Sequence, residues 1–224
     1  GAIQHAERLI KNFPDSVFIA NGYAVKGECH VRLGQLEEAE DALKNALVVT
    51  EKNSTLNLAC VYWLARTYEL TKRYEEALSE YHTYCKFATL GGTYYPNAIV
   101  NSGKVFYQLK DYQNAIPLFE YCVSNGKKYT ASVFNDALLK LADSYNKNGM
   151  PTKTISLFNK INKDDVGSLP YYLLMSYTGD AYKDLKEYKK AYDLYCEVLS
   201  SGEKSLSANA LKKAYNISAS YKSQ

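Results

Sequence analysis

The segment Leu64–Tyr84, LARTYELTKRYEEALSEYHTY, reads as a helix, a short turn and a second helix. Leu64, Ala65 and Tyr68 share one face of the first helix. Tyr74, Ala77, Leu78, Tyr81 and Tyr84 recur at spacings of three and four along the second. Thr71, Lys72 and Arg73 interrupt the apolar period between them.

The rest of the chain repeats this segment. Aligned on the small residue of the second helix, the copies fall at Ala2, Ala39, Ala77, Ala115, Thr154 and Ala191, with gaps of 37, 38, 38, 39 and 37. Twelve residues before each full copy stands another small residue: Gly27, Ala65, Gly103, Ala142 and Gly179. Three residues further on come His30, Tyr68, Phe106, Tyr145 and Tyr182. Four residues after the aligned position come Leu43, Tyr81, Phe119, Phe158 and Tyr195. A repeat of this kind decides the fold, because each helix pair leaves an apolar face that only its neighbour covers. The small pair lets two antiparallel helices approach closely, and the rings fill the wedge between units.

These columns resemble the tetratricopeptide repeat, with a small residue at its eighth position, an aromatic at its eleventh, alanine at its twentieth and an aromatic at its twenty-fourth. The resemblance runs over nearly the whole chain. It implies an all-α, right-handed superhelical solenoid of antiparallel helix pairs. The copies exceed the family's usual length of about 34 residues. The additional residues fall in the connections 89–96 and 162–170, so larger corners are expected along one edge. Pro96 and Pro170 sit where helices begin. Gly34 and Gly149 suit the left-handed residue that ends the first helix of a pair. Thr154 and Pro151 make the fourth copy the weakest match.

The expected organisation is a single array over 1–224. It has full repeats at 20–53, 58–91, 96–129, 135–168 and 172–202. Residues 1–15 match only the second helix of a repeat. Residues 205–220 read as one amphipathic helix, a cap or the start of a further repeat. Ile3, Leu9 and Ile10 are expected to expose surface meant for a missing neighbour and to promote self-association through that edge. The phrase Ile10–Ser16 is also similar to bacterial periplasmic assembly proteins of the superfamily, which makes a cell-envelope assembly factor the alternative function and the periplasm the alternative to a cytoplasmic location.

Composition bounds the remaining classes. The net charge of +3 is too small to imply nucleic acid as a partner. No apolar run approaches the roughly 20 residues of a membrane-spanning helix, so membrane insertion is not expected. Five cysteines, at positions 29, 60, 85, 122 and 196, form no CxxC pair and read as core residues of a reducing compartment. The sequons Asn53-Ser-Thr and Asn216-Ile-Ser are as many as composition alone supplies. No nucleophile has a base at a recognisable spacing, and Gly91-Gly92 lacks the lysine context of a phosphate loop. His30 occupies an aromatic column and reads as a core histidine. No enzyme activity, metal or cofactor is therefore expected.

Tyrosine is abundant, 22 residues against 7 phenylalanines and one tryptophan, and most of it lies in the packing columns. In the tetratricopeptide family the first helix of each pair lines a concave face. By that resemblance the candidate groove residues are Tyr62, Arg66, Lys104, Tyr107, Asp143 and Asp180. Arg66 and Lys104 hold equivalent places in adjacent copies. With Tyr62 and Tyr107 they are expected to form one patch for an acidic or aromatic-containing peptide. Asp143 and Asp180, with Asp136 and Asp184 nearby, would then meet a basic stretch of the same peptide. The lysine and asparagine with which chaperone-binding relatives grip a C-terminal carboxylate are replaced by Ala24 and Glu28, then Tyr62 and Arg66. The expected function is a non-catalytic scaffold that holds a protein or peptide partner. The competing reading is a solvated face of mixed charge, with the partner on the convex side or at the corner tyrosines Tyr94, Tyr95, Tyr129 and Tyr171.

Overall fold

In a computed structural model the described residues are 1–88 and 92–222. Thr89, Leu90 and Gly91 of the expected corner 89–96, and of the Gly91-Gly92 pair, lie outside them. The chain divides into two compact units, Gly1–Val105 and Phe106–Gln224. Among the described residues the regular structure is helical throughout. The first unit holds α1 (Ala2–Asn12), α2 (Ile19–Leu33), α3 (Leu36–Val49), α4 (Thr55–Leu70), α5 (Tyr74–Phe87) and the start of α6 (Tyr95–Gln108). The second holds α7 (Tyr112–Ser124), a 3-10 turn (Gly126–Lys128), α8 (Ala131–Lys147), α9 (Pro151–Phe158), α10 (Lys163–Val166), α11 (Ser168–Asp184), α12 (Tyr188–Ser200) and α13 (Lys204–Lys222).

The small columns are where the paired helices meet. Ala39, Ala65, Ala77, Ala115, Ala142, Thr154 and Ala191 are all fully buried. A β-carbon added at Gly27 would lie 2.5 Å from Leu43 Cγ, and one at Gly179 would lie 2.5 Å from Tyr195 Cε1. In both pairs the glycine admits the large residue sixteen positions on, so the absence of a side chain sets the interhelical distance. Thr154 replaces alanine without strain because its hydroxyl proton has acceptors in Asn146 Oδ1 at 2.7 Å and, alternatively, the Ala142 carbonyl at 3.1 Å. A buried hydroxyl with partners costs little.

The turns inside the pairs share one geometry. A left-handed residue stands five positions before each aligned small residue: Gly34 (φ 74°), Lys72 (62°), Lys110 (60°), Gly149 (71°) and Lys186 (62°). Glycine is at home there; lysine is not. The next amide reaches back to the aromatic column in every case. Gln35 N donates to His30 O, Arg73 N to Tyr68 O, Asp111 N to Phe106 O, Met150 N to Tyr145 O and Glu187 N to Tyr182 O, all at 2.8–3.0 Å. These bonds close the helix ends in the Schellman manner. Glu37 and Glu38 in α3, and Glu75 and Glu76 in α5, sit in first turns, where the helix dipole favours acid. Ser54, Asp111 and Thr130 cap α4, α7 and α8 by accepting from the amides of Asn57, Asn114 and Val133.

At the N-terminal edge Ile3, Leu9 and Ile10 are half-buried. Leu9 and Ile10 lie over Gly22 of α2, 3.1 and 3.3 Å from where its β-carbon would stand. The outward positions Gln4, His5, Glu7, Arg8 and Lys11 are polar and exposed. Leu9 and Ile10 of this short helix thus turn to α2, while its opposite face is polar. Cys60 and Cys122 are buried, Cys29, Cys85 and Cys196 half-buried, and none of the five is in a disulfide.

Candidate functional site

The side chains expected to line a groove fall into three clusters, one in the first unit and two in the second. In each, a carboxylate sits between a tyrosine hydroxyl and a cation.

In the first unit the carboxylate is Glu69, one turn along α4 from Arg66. Arg66 Nη1 and Glu69 Oε2 are 2.5 Å apart. The hydroxyl of Tyr81, whose ring has 0% exposure, donates to the same oxygen at 2.5 Å. Burial alone would make the Arg66 guanidinium easier to deprotonate, but the neighbouring Tyr81 and Glu69 hold it above its ordinary value. Burial, and then Glu69, push the Tyr81 phenol well up. Tyr62 does not reach a surface patch. It is 5% exposed, stacks on Tyr94 with ring centres 4.4 Å apart and planes 2° apart, and accepts from Asn101 Nδ2 at 3.4 Å. Burial pushes its phenol up to about 12. Tyr62 is thus a core residue, because the ring of Tyr94 covers its outer face. Lys104 stands half-buried on α6, between buried Gly103 and Val105.

The second unit brings Tyr107 and Asp143 together. The Tyr107 hydroxyl donates to Asp143 Oδ2 and accepts from Lys147 Nζ. Lys147, one turn beyond Asp143 on α8, also pairs with that carboxylate at 3.0 Å. Lys140, one turn before it, places its ammonium 4.2 Å from the Tyr107 ring centre, and Lys147 lies 4.5 Å from the same ring. Tyr112 meets Tyr107 edge-on with ring centres 5.5 Å apart. Positions 140, 143 and 147 share one face of α8 by helical spacing. Burial works against charge on Lys147, but Tyr107 and Asp143 hold its ammonium above the ordinary value. Burial, together with the bond to Asp143, raises the Tyr107 phenol.

The third cluster joins α11, α12 and α13. The hydroxyl of Tyr195, whose ring also has 0% exposure, donates to Asp180 Oδ1 at 2.7 Å. Lys213 Nζ reaches Asp180 Oδ2 at 2.6 Å and Ser176 Oγ at 2.9 Å.

Asp143 and Asp180, expected to meet a basic stretch of a peptide, have internal partners in this structure. Each carboxylate is already matched by a cation of its own unit. Those cations come from outside the aligned groove positions: Lys147 is four residues past Asp143, and Lys213 belongs to the helix after the last full repeat. Asp184 likewise lies 3.7 Å from Lys183. The second unit's cluster carries two lysines against one aspartate, so its net character is basic. Tyr81 and Tyr195, which read as packing residues in the sequence, share one alignment column. That shared column is the signal for their common role. Lys140 and Lys147 have a signal in their spacing around Asp143. Among the described residues no group of His, Cys, Asp or Glu side chains could hold a metal ion.

Comparisons with known proteins agree with this geometry on a class. Tetratricopeptide-repeat family models match residues 20–53 and 136–166. No curated protein matches the chain in sequence. Among solved structures, YrrB, described as a TPR protein with an unusual peptide-binding site, is similar with a TM-score of 0.70 and 15% identity, over 92% of this chain and 97% of that one. MamA (41-end) from Desulfovibrio magneticus RS-1 aligns with a TM-score of 0.67 and 20% identity, over 81% and 94%. The nearly identical TPR-like repeats of a putative kinesin light chain from Podosopora anserina align with a TM-score of 0.65 and 15% identity, over 83% and 95%. Residues 20–53 and 136–166 thus match tetratricopeptide repeats, and the all-α helix-pair fold is the one these solved tetratricopeptide-repeat structures share.

Proposed function

We propose that the chain is a protein-interaction scaffold that holds an extended peptide carrying acidic and aromatic residues, with the Tyr107–Lys140–Lys147 cluster as its principal contact. The observation that carries this is the position of Lys140. Its ammonium lies over the Tyr107 ring and, among the described residues, has no carboxylate partner. A ligand carboxylate placed there would meet two cations, with the aromatic pair Tyr107 and Tyr112 beside it for a ring. The cluster is held by α8 and by hydrogen bonds already made, so the ordering cost falls mainly on the peptide. The peptide-binding description of YrrB supports the same kind of work. Arg66 is the corresponding cation of the first unit, but Glu69 already neutralises it, so its contribution is smaller.

The test is selection of displayed random peptides on the folded chain and on Lys140→Glu. Wild type should enrich acidic sequences with an aromatic residue, and the variant should lose that preference at unchanged Tm. Equal enrichment by the two proteins would refute the cluster as the contact. Loss of binding on reversal of Arg66 alone would move the site to the first unit.

The cell-envelope reading has one observation in its favour. The phrase Phe13-Pro14-Asp15-Ser16 leads into an exposed apolar set, with Phe13 63%, Val17 86% and Phe18 62% exposed. No helix among the described residues is long and apolar enough to cross a membrane. Fractionation of cells producing the native gene product distinguishes the proposed cytoplasmic location from the periplasmic alternative.

A further inference from the structure

The second unit contains a cavity of about 790 Å³ that the cluster around Tyr107 does not use. It opens at the corner between α7 and α8. Val123, Phe134 and Ile161, which follows α9, form its apolar lining. All three are half-buried members of one apolar group, each with surface left toward the opening. The 3-10 turn brings its backbone down on the ring of Phe134. A β-carbon at Gly126 would overlap that ring at Cδ2. Only glycine permits this approach, so the corner is shaped around the ring. The charges differ between the walls: Lys128 lines the side of the 3-10 turn and Asp165 the side of α10. Both are exposed, and among the described residues neither is in an ion pair. The volume lies within the range of built ligand sites, about 300–1,000 Å³.

We propose that this corner cavity is a second binding site. It takes a bulky apolar side chain of a partner peptide, flanked by an acidic residue that meets Lys128 and a basic residue that meets Asp165. The apolar walls supply the affinity. The two opposite charges give the peptide one direction, since reversing it would set like charges together at both rims. This occupant follows from the charge pattern: a purely acidic peptide would be repelled at Asp165, and an uncharged ligand would use neither rim group. The site is independent of Lys140, so either proposal stands without the other.

The experiment is an amide NMR titration of the full chain with two blocked peptides, acetyl-Glu-Trp-Lys-amide and acetyl-Lys-Trp-Glu-amide. One sequence order should bind more tightly, with shifts centred on Gly126, Phe134 and Ile161. Ala131→Trp, at an exposed lining position on the first turn of α8, should fill the cavity and abolish those shifts without lowering Tm. If that variant misfolds, the surface exchange Lys128→Glu with Asp165→Lys decides instead. It should reverse the preferred peptide order by about two- to fivefold, the scale of exposed charge pairs. Shifts centred on any other region, undiminished binding to a folded Ala131→Trp, or a preference unchanged by the exchange would each overturn the proposal.

Discussion

The hydroxyl of Tyr195 donates to Asp180 at 2.7 Å from a ring that solvent does not reach. Sixteen positions earlier, Gly179 makes room for that same ring. One tyrosine therefore fixes the spacing of α11 and α12 and also anchors a carboxylate that meets Lys213 of α13. Removing the hydroxyl separates these roles. Tyr195→Phe should keep the packing and lose one hydrogen bond to a charged group, costing about 1.5–3 kcal/mol. Urea unfolding monitored by circular dichroism measures it. A loss no larger than that of an exposed-surface control would show that water replaces the hydroxyl at no cost.

At Gly179 the added carbon itself is the test. Gly179→Ala gains up to about 1 kcal/mol of helix propensity. It also drives a methyl into a buried ring, a conflict that costs about 1–3 kcal/mol. The sum should be a lower Tm, and Gly27→Ala, which meets Leu43, should behave alike. A raised Tm in both variants would mean that the helix pairs are more loosely held than the 2.5 Å approaches imply.

The left-handed turns predict effects of opposite sign. Lys72→Gly and Lys110→Gly relieve a conformation that costs an L-residue about 1–2 kcal/mol, offset by about 0.4–1 kcal/mol of added freedom in the unfolded chain. Small increases in Tm are expected. Gly34→Ala, at φ 74°, should lower it. Thermal melts of the three variants suffice, and a stabilised Gly34→Ala would contradict the geometry.

The pH dependence follows from buried phenols. Burial pushes Tyr62 and Tyr177 up to about 12 from the ordinary 10.0. A group raised in the folded state favours folding while protonated. Its contribution is complete below about pH 10 and is lost as pH rises from about 10 toward 12. On the acid side, burial works against ionised Glu40, but hydrogen bonds from Lys44 and Arg73 hold its carboxyl below the ordinary 4.5. That contribution is present above the ordinary value and is lost as pH falls through the folded one. Unfolding by base should therefore coincide with a cooperative rise in phenolate absorbance. Loss of structure with no accompanying step in phenolate absorbance, beyond the gradual rise from exposed tyrosines such as Tyr215, would refute the coupling.

Much of the fold is legible because packing is periodic. Ala39, Ala77 and Ala191 are fully buried where paired helices meet, in a column whose largest member is the hydrogen-bonded Thr154, so the repeat period survives in the letters. The turn residues are legible only where they are glycine. Lys72, Lys110 and Lys186 adopt the same backbone with a side chain that carries no turn signal, although their place five residues before each aligned small residue marks them. The candidate site is legible in part. Tyr107 and Asp143 meet, but their cations do not show in the repeat columns. Lys213 reaches Asp180 from another helix, and a charge pattern along one element does not show what an adjacent one supplies. Tyr62 escapes the sequence for the same reason: the ring that buries it, Tyr94, belongs to a corner outside the columns. At the N-terminal edge, the facing of Leu9 and Ile10 depends on Gly22, which no column marks.

The bonds that close the turns run from main chain to main chain, and each ends on the carbonyl of an aromatic-column residue. The side chain of that residue plays no part in them. His30, Tyr68, Phe106, Tyr145 and Tyr182 can thus differ in ring chemistry while the chain reverses direction in the same way at all five places. Over evolutionary time such a column is free to drift, and a polar ring such as that of His30, with Nδ1 2.8 Å from Gln35 Oε1, can enter the interior without altering the path of the backbone around it.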